Sequence, residues 1–483
     1  MSKPELPSLS PVPAEPTVEQ LLVAVAERDA LIGALIGRIE DLEVRVGQNS
    51  RNSSRPPSSD GYTKPSSPSR AEQRAAGRRP GKQPGAPGKH LRQVEVPDEV
   101  ITHVPDACRG CGAPLAGADL AGIERRQVFD LPAVRMGVAE HQLQRRQCGC
   151  GTITTAPAPA GVSAPAVYGP RLRAVAVYFL HVQHLPLART AALLDEVYGM
   201  AVSEGFLTTV LAEAGAATGP FTDHVRTALI GTEVAHFDET GVRVQGALQW
   251  LHSASTDRLT LLGAHARRGS AAMNDLGVLP AFTGVAVHDG FFPYRQYTSA
   301  SHALCNAHHL RELTAVVQRD ASQTWASDLI DVLREANRAA HGASAEGRSG
   351  LAPDTLDQLR TRYGELIAAG WAANPPPLPT GKRGAPKLGR TGSLLRRLDK
   401  RRDEVLRFAE DLTVPFTNNQ AERDLRMAKL QMKISGCWRT TDGAETFAAL
   451  RSYVSTVRKN GAGILGALTD LLNGTPWLPA TSN

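Results

Sequence analysis

Apolar residues recur at alternating three- and four-residue steps near the start of the chain, at Val18, Leu21, Val25, Ile32, Leu35, Ile39, Leu42 and Val46, broken only at Arg28. This spacing is the heptad signature of a helix that buries one stripe against a partner. Thr17, with Gln20 three places on, supplies a capping box for its start. The pattern predicts a coiled-coil helix over 17–47; a lone amphipathic helix packed on its own chain is the other reading. Periodicity then stops. Residues 48–93 are rich in Ser, Pro, Gly and Arg, a composition that cannot bury a core by itself, and read as a disordered basic linker. A small unit follows at 94–157. Helical spacing returns at 170–184, 187–198 and 203–214, with Pro186 and Gly199 as punctuation. Three short helices over 165–217 fit a helix-turn-helix DNA reader or a packed connector. The third carries Glu204 and Glu213 and no Lys or Arg, which weakens base reading.

From 230 onward the period shortens. β-prone runs lie at 234–237, 247–254, 259–265, 285–288 and 303–305, separated by turn residues. Residues 306–411 are mainly helical, a helix spans 416–436, and 443–473 holds one or two more. Strands followed by a long helical stretch predict an α+β fold: a core over 230–436 with a helical insertion at about 310–411, then C-terminal helices over 437–483.

Charge refines this picture. The chain has 483 residues, 42% of them hydrophobic, and a net charge of +6. Residues 51–92 hold ten Lys or Arg against two acids, a net +8, which leaves −2 for the remainder. A basic arm of this kind meets a polyanion through its phosphates. Arg78, Arg79 and Lys82 are its candidate DNA contacts. A second basic stretch, 382–407, has ten Lys or Arg against three acids and offers Arg396 and Arg397; it is either a solvated helix face or a DNA-contacting one. The N-terminal residues lack an apolar signal region and no run reaches about 18 apolar residues, so a soluble cytoplasmic protein without a membrane span is expected.

Cys108-Arg-Gly-Cys111 and Cys148-Gly-Cys150 lie 36 residues apart. Four thiolates suit tetrahedral structural Zn²⁺, with redox thiols as the alternative. The stretches 125–131 and 134–147 read as hairpin strands that bring the second pair beside the first. Three acids stand out further on. Asp238 and Asp289 each end an apolar run, at Glu233-Val-Ala-His-Phe-Asp238 and Gly284-Val-Ala-Val-His-Asp289, and Glu422 sits in a predicted helix. A carboxylate at a buried strand end is costly unless paired, and three together suit a pair of Mg²⁺ ions. Of the neighbours Asp238 and Glu239, only one can face the site from a regular strand, and Asp238 is the choice. Arg426, Lys429 and Lys433 follow Glu422 at steps of four, three and four, either as phosphate-binding cations or as an ion-pair ladder. Asn418-Asn419 can cap that helix. Cys305, His308 and His309 are a partial metal set or packed residues.

These segments together resemble the insertion sequence 66 family of transposases. The resemblance rests on Asn49-Ser-Arg-Asn-Ser-Ser-Arg-Pro-Pro-Ser-Ser-Asp60, Gly81-Lys-Gln-Pro-Gly85, the four cysteines, His236-Phe-Asp238-Glu-Thr-Gly241, His288-Asp289-Gly290, Cys305-Asn-Ala-His308, Asn418-Asn-Gln-Ala-Glu422-Arg-Asp-Leu-Arg426 and Arg451-Ser-Tyr-Val-Ser-Thr. Cys148-Gly-Cys150 departs from it by being one residue short. The resemblance implies a ribonuclease H-like core with a D-D-E triad at Asp238, Asp289 and Glu422. It implies two Mg²⁺ or Mn²⁺ ions, cleavage and strand transfer at the terminal inverted repeats of the element, and insertion into target DNA. Cys305 and His308 would support the site. A homo-oligomer, accessory proteins of the same element and a bacterial nucleoid location are further expectations. An inactive DNA-binding relic and a nuclease of RNA–DNA hybrids are the rival readings.

Overall fold

The computed structural model describes residues 17–48, 91–131, 134, 136–376 and 388–480. The basic arm, with Arg78, Arg79 and Lys82, lies outside them. Helix α1 (Val18–Gly47) begins at the expected capping box, Gln20 N donating to Thr17 Oγ1 at 3.3 Å and Thr17 N to Gln20 Oε1 at 2.9 Å. Its heptad stripe is open to solvent: Leu21, Val25, Ile32 and Leu42 are 45, 52, 53 and 51% exposed.

Strands β1 (Arg145–Gln147) and β2 (Ile153–Thr155) form a small antiparallel ribbon. Then come α2 (Pro170–Val177), which runs into a π-helical turn at Tyr178–Val182, α3 (Leu187–Tyr198), α4 (Glu204–Ala217) and α5 (Gly219–Ile230). A five-stranded mixed sheet follows, built from β3 (Val234–Val244), β4 (Ala247–Ser255), β5 (Thr260–His265), β6 (Val285–His288) and β7 (Ser301–Leu304), with α6 (Ser270–Leu276) between β5 and β6. The strand order is β5-β4-β3-β6-β7; the first three are antiparallel and β6 and β7 run parallel to β3. Helices α7 (Asn306–Arg319), α8 (Thr324–Ala345), α9 (Pro353–Ala373), α10 (Arg390–Lys400) and α11 (Arg402–Glu410) form the insertion. Helix α12 (Asn419–Ser435) returns to the sheet, and α13 (Thr441–Lys459) and α14 (Ile464–Leu472) close the chain. The α+β expectation is met.

Period-two burial along β3 decides what covers each sheet face. Ala235 and Phe237 point to one side, into a core shared with Phe221 and Leu229 of α5, Leu261 of β5, Tyr453 and Val457 of α13 and Leu468 of α14. Val242 and Val244 point to the other, against Leu425 and Ala428 of α12 and Phe447 of α13. Helices α5, α13 and α14 therefore share a core with one face of the sheet, while α12 and α13 cover the other. The insertion has its own, around Leu313, Trp325, Leu333, Tyr363, Leu398 and Phe408.

Two expectations need correction. Strand β3 does not end at Asp238: it continues to Val244 because β4 pairs with it along its whole second half. Gln245 and Gly246, both at positive φ (52° and 77°), make the two-residue reversal that this antiparallel twist requires. Among the described residues, 125–144 contains no strand; the ribbon there is β1 with β2, which folds the second cysteine pair on itself. Helix α4 is buried along Leu207, Val210 and Ala214, and its Gly215 lies against Thr446 of α13, where a Cβ would come within 2.8 Å of the Thr446 methyl. Its exposed surface includes Glu204, Thr208, Thr209 and Glu213, and no cation. That packing suits a connector better than a base-reading helix.

Asp424 and Lys459 lock α12 to α13. Lys459 Nζ lies 2.8 Å from Asp424 Oδ2 and also donates to the carbonyls of Thr256 and Leu259 at 2.7 and 2.9 Å. Both side chains are nearly buried, at 13% exposed for Lys459 and 6% for Asp424. Replacing Lys459 by Met leaves Asp424 uncompensated, and the expected loss is about 3–5 kcal/mol of unfolding free energy in denaturant titration. The Asp424→Asn/Lys459→Met pair should recover much of it; a single-variant loss below about 1 kcal/mol would refute the lock.

Candidate active site

Pairing of β3 with β6 matches His236 with Val287 and then stops. Carried two residues on, the same parallel register sets Asp238 opposite Asp289. Both acids thus stand where the parallel ladder ends, the place where open sheets of this kind hold their ligands. Asp238 Oδ1 accepts the N–H of Glu239 at 2.9 Å, and Asp289 Oδ1 accepts that of Phe291 at 2.8 Å, so each carboxylate is oriented by its own backbone. His288 fixes the second turn. Its Nδ1 accepts the Gly290 N–H at 2.9 Å, which leaves Nε2–H to donate to His302 Nδ1 at 3.0 Å, while the ring stacks on Tyr294. Burial pushes the His288 pKa down to about 3, so the ring is neutral in this relay. Gly290 has φ +90°, with Leu304, Arg401 and Arg397 all within 4 Å of where a Cβ would stand.

Glu422 arrives from the opposite side, on the first turn of α12. What brings it there is Asn418. The buried side chain does not cap the helix, as the sequence led one to expect. Its Nδ2 donates to the Phe237 carbonyl at 2.8 Å, its Oδ1 lies 2.9 Å from His236 Nδ1, and its backbone N–H donates to Cys305 Sγ at 3.1 Å. One residue thereby ties the helix of Glu422 to the strand of Asp238 and to the end of β7. The Gly241 carbonyl receives Lys429 Nζ at 2.5 Å, a second tie between the same two elements.

The carboxylates sense one another. The pKa of Asp238 stands well above the ordinary value, first through burial, then through the neighbouring charges of Glu239 and Asp289 and, more weakly, Glu422. Glu239 is raised too, by burial and then by Asp289, against the opposing pull of Tyr294 and Arg268. It faces the other side of the sheet, where Oε1 pairs with Arg268 at 2.8 Å and Oε2 accepts the Tyr294 hydroxyl at 2.7 Å. Arg268 stacks over Phe291 and Trp250, at 4.0 and 4.9 Å, and reaches Asp289 Oδ2 at 4.0 Å. His308 Nε2 and Arg311 Nη2 each lie 4.0 Å from Glu422 Oε1. The cluster is therefore short of positive charge at Asp238 and flanked by cationic groups elsewhere.

A family model described as the IS66 family of transposases matches residues 165–446, more than half of the chain and all of the elements that form this site. The chain belongs to the IS66 transposase family. A second family model, of unknown function, matches residues 3–92. The chain is also similar to an uncharacterized protein, y4hP, of Sinorhizobium fredii (strain NBRC 101917 / NGR234), at 23% identity over 413 residues that span 78% of this chain and 71% of the relative. Membership makes this an enzyme of DNA transposition. Among the described residues, no helix of the transposase is long and apolar enough to cross a membrane.

The remaining expected site residues separate into two groups. Arg426 and Lys433 are exposed on α12, while Lys429 is half-buried and committed to the strand backbone. In the basic stretch, Arg396 is exposed beside Arg390 and Lys400. Arg397 instead pairs with Glu312, and Arg407 donates to the His302 carbonyl at 2.8 Å. Thus Lys429 and Arg397 hold the protein together, because burying a long cation demands a partner. Each cysteine pair forms its own tight turn, with Gly112 N donating to Cys108 O and Gly151 N to Cys148 O, both at 2.8 Å. Among the described residues, the three-ligand group whose atoms come within 4.8 Å of one another is Cys305, His308 and Glu422; neither the two cysteine turns nor the acids Asp238, Asp289 and Glu422 are gathered that closely. Sequence reading missed Arg268 and the second use of Asn418. A lone Arg in a loop carries no pattern, and Asn before a helix looks like an ordinary cap.

The raised carboxyls of Asp238 and Glu239 set a pH dependence. An acid whose folded pKa exceeds its unfolded one, about 3.9–4.3, adds stability that is complete below that range and is lost as pH rises through the folded value. In metal-free buffer, the thermal midpoint of the wild type should therefore fall relative to that of Asp238→Asn between pH 5 and pH 8. A midpoint difference that does not change with pH would contradict the electrostatic picture.

Proposed function

We propose that this transposase cuts and joins DNA at the ends of its own insertion element, with Asp238, Asp289 and Glu422 as the acidic ligands of two Mg²⁺ or Mn²⁺ ions. The observation that carries the reading is the shared register of Asp238 and Asp289 at the end of the parallel ladder, with Glu422 clamped above them by Asn418. A sheet of three antiparallel strands continued by two strands parallel to the first supports a ribonuclease H-like core. The donor chemistry fits the ions: three carboxylates are hard oxygen ligands, and the Asp238 pKa, raised first by burial and then by the charges of Glu239, Asp289 and Glu422, would be relieved by a divalent cation. Two such ions would supply Lewis acidity to the attacking oxygen and to the leaving 3′ oxygen.

The chain's own residues do the rest. Asp238 would bind as the carboxylate, its proton released to solvent. Arg268 and Arg311, each 4.0 Å away, place positive charge beside Asp289 and Glu422. Arg426, Lys433 and Arg396 offer exposed charge for the phosphates of the scissile strand, with Arg78, Arg79 and Lys82 of the arm adding salt-dependent affinity. The exposed stripe of α1 suits a second copy of the chain, which would make the transposase a homo-oligomer. The units at 17–47, 48–93, 94–157, 165–217, 230–436 and 437–483 remain the working division. In the third of these, Cys108, Cys111, Cys148 and Cys150 would hold structural Zn²⁺ once their two turns approach. Amide and side-chain hydrogen bonds lower the thiol pKa values of Cys108 and of Cys150, the latter to about 7, which favours ligation.

Asp289→Asn should retain binding of terminal-repeat DNA in gel-shift titration and lose Mg²⁺-dependent cleavage by at least about 10³-fold, the scale of removing a group central to charge stabilisation. Normal cleavage by that variant would refute the triad. Cys108→Ser should weaken binding of the terminal repeat before it affects nicking of unspecific DNA; equal loss of both would argue against separate zinc and catalytic units.

A further inference from the structure

Beside the three acids lies a group of different chemistry. Cys305 ends the loop from β7 into α7, His308 sits on the first turn of that helix, and Glu422 faces them from α12. One ligand atom from each lies within 4.8 Å of the other two. Tetrahedral coordination at about 2.0–2.3 Å would need these atoms roughly 3.3–3.7 Å apart, so closure asks for about an ångström of movement. Glu422 can supply it: its carboxylate is partly exposed and, among the described residues, its ion-pair approaches are those of His308 and Arg311 at 4.0 Å. Cys305 is buried, which pushes its thiol pKa up to about 11, and its sulfur accepts the Asn418 N–H at 3.1 Å, an amide contact that orients it and partly offsets that shift. His308 Nδ1 is buried and lacks a hydrogen-bond partner, while Nε2 looks toward Glu422.

We infer that Cys305, His308 and Glu422 form a site for a thiophilic divalent cation of the Zn²⁺ class, sharing Glu422 with the triad. Sulfur and imidazole select such an ion and reject Mg²⁺, which takes oxygen ligands. Binding exchanges the thiol proton of Cys305, released to solvent, for a metal–sulfur bond; no redox change is involved. The binding itself stands on these three side chains alone. Its consequence rests on the proposed triad: an ion that claims Glu422 withdraws it from the Mg²⁺ site, so a thiophilic metal and cleavage exclude each other.

The test uses the full chain and Co²⁺, whose visible bands report sulfur ligation. The four cysteines of the N-terminal unit also take Co²⁺, so the comparison is among variants. Cys305→Ser, His308→Asn and Glu422→Gln should each lose the same equivalent, or bind it at least tenfold more weakly, while Cys108→Ser and Asp238→Asn retain it. Because Cys305 is buried, the fold of its variant is checked by circular dichroism, and His308→Asn serves as the independent probe. Micromolar Zn²⁺ should suppress nicking in millimolar Mg²⁺. An unchanged number of Co²⁺ equivalents in a folded Cys305→Ser or His308→Asn protein would overturn the inference and leave the triad standing. Cleavage by Asp238→Asn with the Co²⁺ equivalent intact would do the reverse.

Discussion

Everything at the candidate site depends on the buried amide of Asn418. It satisfies the Phe237 carbonyl and His236 at once, and its own N–H reaches Cys305. Those three contacts join elements far apart in sequence: a strand, a loop and the start of a helix. A polar group at this depth is costly unless every bond is made, so the geometry is enforced by the penalty for failing to make it. The helix cannot slide by a turn without stranding both ends of the amide. Lys429 on the Gly241 carbonyl and the Asp424–Lys459 pair repeat the same device further along α12. Apolar packing of Leu425 and Ala428 supplies most of the attraction between this helix and the sheet, but it lacks direction; the polar ties set the register.

The charge pattern around the acids follows from that enforced convergence. Like charges brought together in a partly dry site must be protonated, paired or bridged. The fold raises the pKa of Asp238 toward the first and uses pairing for Glu239. Glu239 illustrates the economy of the sheet. Adjacent in sequence to Asp238, it points through the opposite face and is absorbed by Tyr294 and Arg268, and Arg268 in turn reaches back toward Asp289. The two faces of the strand are thus electrically linked through one guanidinium held between aromatic rings.

Much of this was legible in the sequence where the signal was local. The strand starts, the capping box at Thr17 and the helices after Pro170 and Pro186 are written in short-range patterns, and they appear as expected. That Asp238 and Glu239 face opposite sides of the sheet needed only the alternation of a pleated strand. Long-range facts were illegible. Nothing in Thr240–Val244 marks a continuing strand until β4 is known to pair with it, because Gly241 and Arg243 spoil the apolar run. Charge runs were overread: Arg397 and Lys429 look like their exposed neighbours Arg396 and Lys433 and differ only in what folds against them. The cysteine spacing indicated two turns correctly but could not say whether they meet.

The helical insertion leaves the core at Asn306 and the chain returns at Phe416, and these two points are hydrogen-bonded to each other, Asn306 N to Phe416 O at 3.0 Å. The excursion is a closed loop stitched at its neck. Its apolar interior is its own except for Leu304 of β7, and closure entropy grows only slowly with the length of chain looped out. The interval between the second and third acids can therefore vary only in the parts of the excursion away from the neck, since His308, Arg311 and Arg397 of the excursion stand beside Glu422 and Gly290.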